Sequence, residues 1–362
     1  VNEIYYVYPR FKNVSFSNIS KQHIKYLNEK VKIQQIDEDV LGHLMWLRPR
    51  NILLHPVLYV TIGDRPSQFE ERNERLRKLL KVKGKLGGFE TADSDKISRI
   101  AMDNLNKIDM CFLPSKWAIE VFKKSGAKIP LHHLPHGLSS EIISPDKTIT
   151  NESVQRIVKM KKKHDATMVL YFLLHSEYRK GADIVLDAFK FLQQKNPNMF
   201  LVVKGSITNS PVGKKLKKLK IIEIPTWMPD AVLRQLYDAC DMLVVCSRGG
   251  GFELNALEGL ARGLPTLVSN DGCFKDYSEY AIPLAITGHP IVFPDNPIHQ
   301  GRGWETDGDH LSEVVDSVAS NIDAWKEKAE ENSEFIKKKY SWKTICNDLF
   351  EHLVRYGFCD GK

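Results

Sequence analysis

The sequence has no apolar run approaching the ~20 residues that a membrane-crossing helix needs, so no bilayer-spanning segment is expected. It has no CxxC pair. Six cysteines (Cys111, Cys240, Cys246, Cys273, Cys346 and Cys359) are scattered without framework spacing and read as reduced, mostly buried thiols of an intracellular chain. No apolar leader precedes the three Asn-x-Ser sites at Asn13, Asn18 and Asn151, which are therefore read as chance matches, and the expected location is cytoplasmic. Low-complexity tracts are missing, and so is any repeat beyond a strand-helix unit.

What is present is an ordinary globular composition, 42% hydrophobic and 27% charged, in a chain of 362 residues that suits two domains of ~150–200 residues each. The net charge of +7 comes partly from lysine runs at 158–164 and 214–220. Such runs attract phosphate groups or stand as solvated faces. Strand-like apolar runs alternate with amphipathic helix-length stretches throughout, the pattern of an α/β chain with parallel sheets covered on both sides. In the first half, 3–8, 31–36, 51–60, 109–115 and 129–135 read as strands, with helices near 19–29, 38–46, 96–107 and 115–124. A polar stretch at 139–166 separates two halves, giving domains of residues 1–145 and 146–339, with 340–362 free to pack back on the first.

The segment "DMLVVCSRGGGFELNALEGLARGLP" (241–265) carries the chemistry. A strand apolar at every central position is buried in a parallel sheet, and ligands bind beyond the carboxyl ends of such strands. Glycines there let backbone amides approach a ligand, and the helix that follows offers free N–H groups to an anion. Glu258, about one turn inside that helix, suits hydrogen bonds from sugar or ribose hydroxyls. Arg179 and Lys180 precede Gly181 at another strand-to-helix junction and aim two cations at the same sheet edge. The plain alternative is that these glycines only serve tight turns.

Four segments in order resemble the retaining glycosyltransferases of the GT-B fold, and among them the large family 4 of nucleotide-sugar transferases. They are "DMCFLPSKWAIEVFKKSGAKIPLHHLPHGL", "YRKGADIVLDAF", "DACDMLVVCSRGGGFELNALEGLARGLPTLVSN" and "YSWKTI", within residues 109–350. The resemblance implies two Rossmann-like, doubly wound domains facing across a cleft. It also implies that Glu258 is the second glutamate of the E-x7-E motif and holds the donor ribose, that Lys180 neutralises the diphosphate, and that the amides of Gly251 and Phe252 meet phosphate or sugar, with Gly181 in the same loop. This sequence departs from the pattern in three places. Gly250 stands where the family has its first glutamate; Glu253 replaces a glycine; His175 stands where an arginine is common, with Arg179 as its substitute. Either the acidic function has moved three residues along, or the sugar is held differently.

In the first half, "GGFETADSDK" (87–96) resembles a variant in which Glu-Thr follows a strand, which points to Glu90 and Thr91, with Gly87 and Gly88 fitting a close approach to ligand. The motif around His132, His133 and His136 lacks a fourth ligand, and no metal is expected. The reaction implied is transfer of a sugar from a nucleotide-diphosphate donor to an acceptor hydroxyl on a glycan, glycolipid or protein glycan, with retention. Arg179, Lys180 and the helix N-terminus stabilise the leaving diphosphate without metal or other cofactor, Glu253 stands as the displaced sugar contact, and domain closure brings Glu90, Thr91 and the acceptor against the donor. A lipid-linked acceptor at an anionic membrane surface is compatible with the basic runs. Two rivals differ in class: a binding protein without turnover, motivated by Gly250, and a transferase acting on nucleic acid, motivated by the charge. The scarcity of aromatics among the lysine runs counts against the latter, and no nucleic acid partner is expected.

Overall fold

A computed structural model describes residues 3–12, 14–41, 50–173 and 176–361. Two parallel sheets organise it. The first contains β1 (Glu3–Tyr8), β2 (Lys32–Asp37), β3 (Arg50–Leu54), β4 (Lys83–Phe89), β5 (Met110–Leu113) and β6 (Leu131–His133), in the order β2-β1-β3-β4-β5-β6. The second contains β7 (Thr167–Phe172), β8 (Met199–Lys204), β9 (Ile221–Ile224), β10 (Met242–Val245), β11 (Thr266–Ser269) and β12 (Ile282–Leu284), in the order β12-β11-β10-β7-β8-β9. Every central position of β10 and β11 is buried, as strands covered on both faces require.

The chain divides into two compact units. Unit 1 holds residues 1–137, 293–302 and 342–362, and unit 2 holds 138–292 and 303–341. The helix Trp342–Arg355 thus belongs to unit 1, where Trp342, Ile345, Leu349 and Leu353 share a core with Ile4, Tyr6 and Ile24. Phe293–Arg302 joins the same unit through Ile298, buried in its other core, and through the Gly301 N–H donated to Ser94 Oγ at 3.1 Å. In unit 2, apolar residues of the helices Ala182–Lys195 and Gly308–Ser320 cover one face of the sheet.

Two details differ from the sequence reading. The run 51–60 is not one strand: β3 ends at Leu54, Pro56 interrupts, and Val57–Thr61 form a short helix, because proline brings no N–H to a ladder. Gly87 and Gly88 make room for protein rather than ligand: a Cβ at 88 would meet the Leu54 carbonyl and Val57, and one at 87 would lie 2.9 Å from the Phe358 ring. The helix expected at 38–46 falls largely on residues outside those described. Among the described residues no helix is long and apolar enough to cross a membrane, and all six cysteines are free and buried.

In each sheet the strand order reverses once, between β1 and β3 and between β7 and β10. At such a switch point the connections on either side depart in opposite directions and leave a crevice at the carboxyl edge. Arg179, Lys180 and Gly181 follow β7, and the glycine run follows β10.

Candidate active site

At the unit 2 switch point the loops after β7 and β10 are tied together. The Arg248 N–H donates to the Arg179 carbonyl at 2.7 Å, and Arg179 Nη1 donates to the Gly249 carbonyl at 3.0 Å. Gly181, at φ +72°, starts the helix Ala182–Lys195 in the left-handed region, where glycine carries no Cβ penalty.

Lys180 and Arg179 converge on one carboxylate. Lys180 Nζ donates to Glu253 Oε2 at 2.7 Å and to Oε1 at 2.9 Å, and Arg179 Nη1 lies 3.5 Å from Oε1. Burial opposes ionisation of Glu253, but Lys180 and then Arg179 outweigh it and hold the carboxyl below its ordinary value. Two cations face one carboxylate beside the amino end of the helix Leu254–Ala261, a combination able to hold an anion.

Glu253 itself precedes that helix at φ 54° and ψ 69°. A side chain in this region costs about 1–2 kcal/mol. Its carboxyl carbon lies 3.1 Å from where a Cβ on Gly250 would be, so Glu253 fills the space a side chain at 250 would take. Phe252 turns its ring into the protein, against Tyr277 and Tyr340, and its carbonyl accepts from Tyr277 Oη at 2.8 Å. Gly250 and Gly251 are buried in the same turn. His175 lies outside the described residues.

Glu258, one turn into the helix, accepts from Tyr237 Oη at 2.6 Å. Burial pushes its carboxyl up to about 8, with the Tyr237 hydrogen bond working against that rise. Glu258 therefore holds a proton at neutral pH in the free protein. Tyr237 stacks on Phe172 at the end of β7, with ring centroids 5.7 Å apart.

Two contributors to this arrangement were missed in the sequence. Arg248, 2% exposed, makes paired 2.7 Å hydrogen bonds to both oxygens of Asp183, one of 2.8 Å to Glu305 and one of 2.8 Å to the Tyr178 carbonyl. It pins the loop that carries Arg179 and Lys180. Its signal was an arginine ending an apolar strand, masked by the glycines beside it. Tyr237 lay on the buried stripe of an amphipathic helix, where an aromatic reads as core.

In unit 1, Glu90 follows β4. Its carboxyl accepts N–H hydrogen bonds from Leu58 at 2.7 Å and Thr91 at 2.9 Å, and burial pushes it up to about 8 despite them. Glu90 and Thr91 line a small cavity with Phe16, His23, His55 and His136. Tyr6 Oη is hydrogen-bonded to His23 Nδ1 at 2.8 Å and His55 Nδ1 at 3.0 Å, and Ser20 Oγ lies 2.9 Å from the same atom of His55. Burial lowers His23 and His136 to about 3 and His55 well below its ordinary value, so all three are neutral. The HHxxH histidines part company: His136 faces this cavity, whereas His132 packs on His352 with ring centroids 4.4 Å apart.

Residues 154–282 match the family described as glycosyl transferases group 1. With two Rossmann-like units of six parallel strands each, the protein is a glycosyltransferase of the GT-B type. The chain belongs to one family with protein 356 of Sulfolobus islandicus rod-shaped virus 1, to which it is 30% identical over 361 residues, covering 98% of each chain. A protein named as a glycosyltransferase from the Sulfolobus islandicus filamentous virus (isolate Iceland/Hveragerdi) is 26% identical over 270 residues, 72% of this chain and 71% of that one. Among solved structures, Anabaena HepE in complex with UDP and glucose has the same fold, with a TM-score of 0.69 at 13% identity over 98% of this chain and 100% of the other.

Proposed function

We propose that the protein transfers a hexose from a nucleotide-diphosphate donor to an acceptor hydroxyl, with retention at the anomeric carbon, as a family 4 enzyme with a displaced first glutamate. The observation that carries this reading is the convergence of Arg179, Lys180 and Glu253 at the unit 2 switch point, one helical turn from Glu258. The complex of HepE with UDP and glucose supports a nucleotide sugar as donor.

In this reading Arg179 and Lys180 receive the diphosphate oxygens as charge develops on the leaving group, so the step needs neither metal nor organic cofactor. The Gly251 and Phe252 amides and the Gly181 turn face the phosphates and sugar. Glu253, held ionised, accepts a hydrogen bond from a donor-sugar hydroxyl in place of a glutamate at 250. Glu258 receives the ribose hydroxyls. Glu90 and Thr91 act at the acceptor, a glycan, a glycolipid or a protein glycan. The lysine runs suit contact with an anionic membrane surface on the cytoplasmic side.

Ribose hydroxyls donate best to an ionised carboxylate, so they displace the proton that Glu258 holds. Binding of a nucleoside diphosphate at pH 7 is therefore expected to release close to one proton, and affinity is expected to rise with pH and level off above about 8. The same raised value makes the free fold less stable as pH climbs from the ordinary carboxylate range toward about 8, because the folded chain then binds more protons than the unfolded one. Calorimetry in buffers of different ionisation enthalpy measures the release, and Glu258→Gln should abolish it. Binding without proton release would remove Glu258 from the ribose; no binding of any nucleotide would sink the donor reading.

A further inference from the structure

Another buried cation stands at the carboxyl edge of the unit 2 sheet, away from the diphosphate cluster. Lys204, the last residue of β8, is 7% exposed, and its Nζ donates to the Thr226 carbonyl at 2.8 Å. No carboxylate among the described residues pairs with it, and burial lowers its pKa. A buried ammonium with a single carbonyl partner is costly, and an ammonium has three protons to donate. Two remain for something else.

The carbonyl that Lys204 holds belongs to the residue before Trp227, which is 77% exposed. This indole sits in the loop Pro225–Pro229, between β9 and the helix Asp230–Ala239. The prolines at both ends of the loop fix φ and reduce its freedom. That helix also carries Tyr237, bonded to Glu258 and stacked on Phe172. Phe172 pairs in register with Lys204. A continuous line of contacts thus runs from Glu258 through Tyr237 and Phe172 to the neighbouring strand, and there to Lys204 and the Trp227 loop. Adjacent strands are about 4.8 Å apart, so the far end of this line stands one strand beyond the residues next to Glu258.

We propose that Lys204 and Trp227 form the nucleobase end of the donor site: Trp227 stacks on the base, and Lys204 donates to a carbonyl oxygen on the base edge away from the ribose. The inference rests on the donor reading above. An ammonium donates only, so it pairs with the keto oxygen that uracil, thymine and guanine present as an acceptor on that edge and disfavours the amino group that cytosine and adenine present there. An aromatic platform adds affinity for every base alike. Selection among bases is thus assigned to Lys204, and general hold to Trp227.

The test is equilibrium binding of UDP, GDP, CDP and ADP to the full chain, by calorimetry and by quenching of tryptophan fluorescence, with Lys204→Met, Trp227→Leu and Lys180→Ala beside the wild type. UDP and GDP are expected to bind at least about tenfold more tightly than CDP and ADP. Lys204→Met should erase that preference while leaving ADP near its wild-type value. Trp227→Leu, a change at an exposed site, should weaken all four about fivefold or more and remove most of the quenching. An unchanged ranking in Lys204→Met, or wild-type affinity in Trp227→Leu, would overturn the inference. Equal binding of all four nucleotides, lost in Lys180→Ala, would overturn it while sparing the donor reading, and no binding of any nucleotide would overturn both.

Discussion

Replacing Glu253 by glutamine is expected to slow sugar transfer about a hundred- to a thousandfold, the loss typical when a preorganised polar contact to the reacting group is removed. The amide keeps the volume and one hydrogen bond to Lys180, so the fold should survive. A companion experiment restores the arrangement of the resembled family. Gly250 does not have a positive φ, and the atoms nearest to a Cβ there all belong to the Glu253 side chain. Gly250→Glu alone should therefore crowd two carboxylates and lower both stability and activity. The double variant Gly250→Glu/Glu253→Gly removes the crowding and places glycine at φ 54°, which should relieve about 1 kcal/mol of backbone strain. It is expected to recover most of the rate lost in Glu253→Gln. Full activity in Glu253→Gln, or a double variant as slow as Glu253→Gln, would show that the acid at 253 does not do the work of one at 250.

Arg248→Met should lower stability by about 2–3 kcal/mol. Breaking a buried ion pair from one side generally costs about 3–5 kcal/mol. Here Asp183 and Glu305, whose side chains are 41% and 37% exposed, regain water, which reduces the loss. The consequence for function is larger than the stability change suggests, because Arg248 bonds the Tyr178 carbonyl and its own N–H holds the Arg179 carbonyl. Affinity for nucleoside diphosphates should fall with the melting temperature. Chemical denaturation and nucleotide titration of the same variant measure both, and unchanged values for the two would contradict the positioning role.

The α/β class and most strands of the sheets were legible because buried parallel strands are apolar at every position and helices are periodic. The strands 3–8 and 32–37 were found within a residue of their ends. The break at Pro56 was not, since Leu53 and Leu54 before it and Val57 and Leu58 after it are all apolar, and a short buried helix then has no period to show. Arg179, Lys180 and the glycine run were legible as a candidate site because their place, after strands and before helices, is itself chemical information. The partnership of Lys180 with Glu253 was not legible: 73 residues separate them, and only the strand order, with β7 beside β10, brings them together. Tyr6, His23 and His55 escaped notice for a related reason. Tyr6 lies in an apolar strand, His55 just past another and His23 on the buried face of a helix, and the hydrogen bonds that join them span 17 and 49 residues.

The central claim is that Lys180 and Glu258 hold a nucleotide-sugar donor for transfer. Its most direct test is a panel of nucleotide sugars incubated with the wild type, Lys180→Ala and Glu258→Ala, with released nucleotide followed over time and glycan or lipid-linked acceptors added in parallel. The expected result is release from one donor, faster with an acceptor, and lost in both variants. Release that proceeds equally in wild type and variants, or from no donor under any condition, would contradict it.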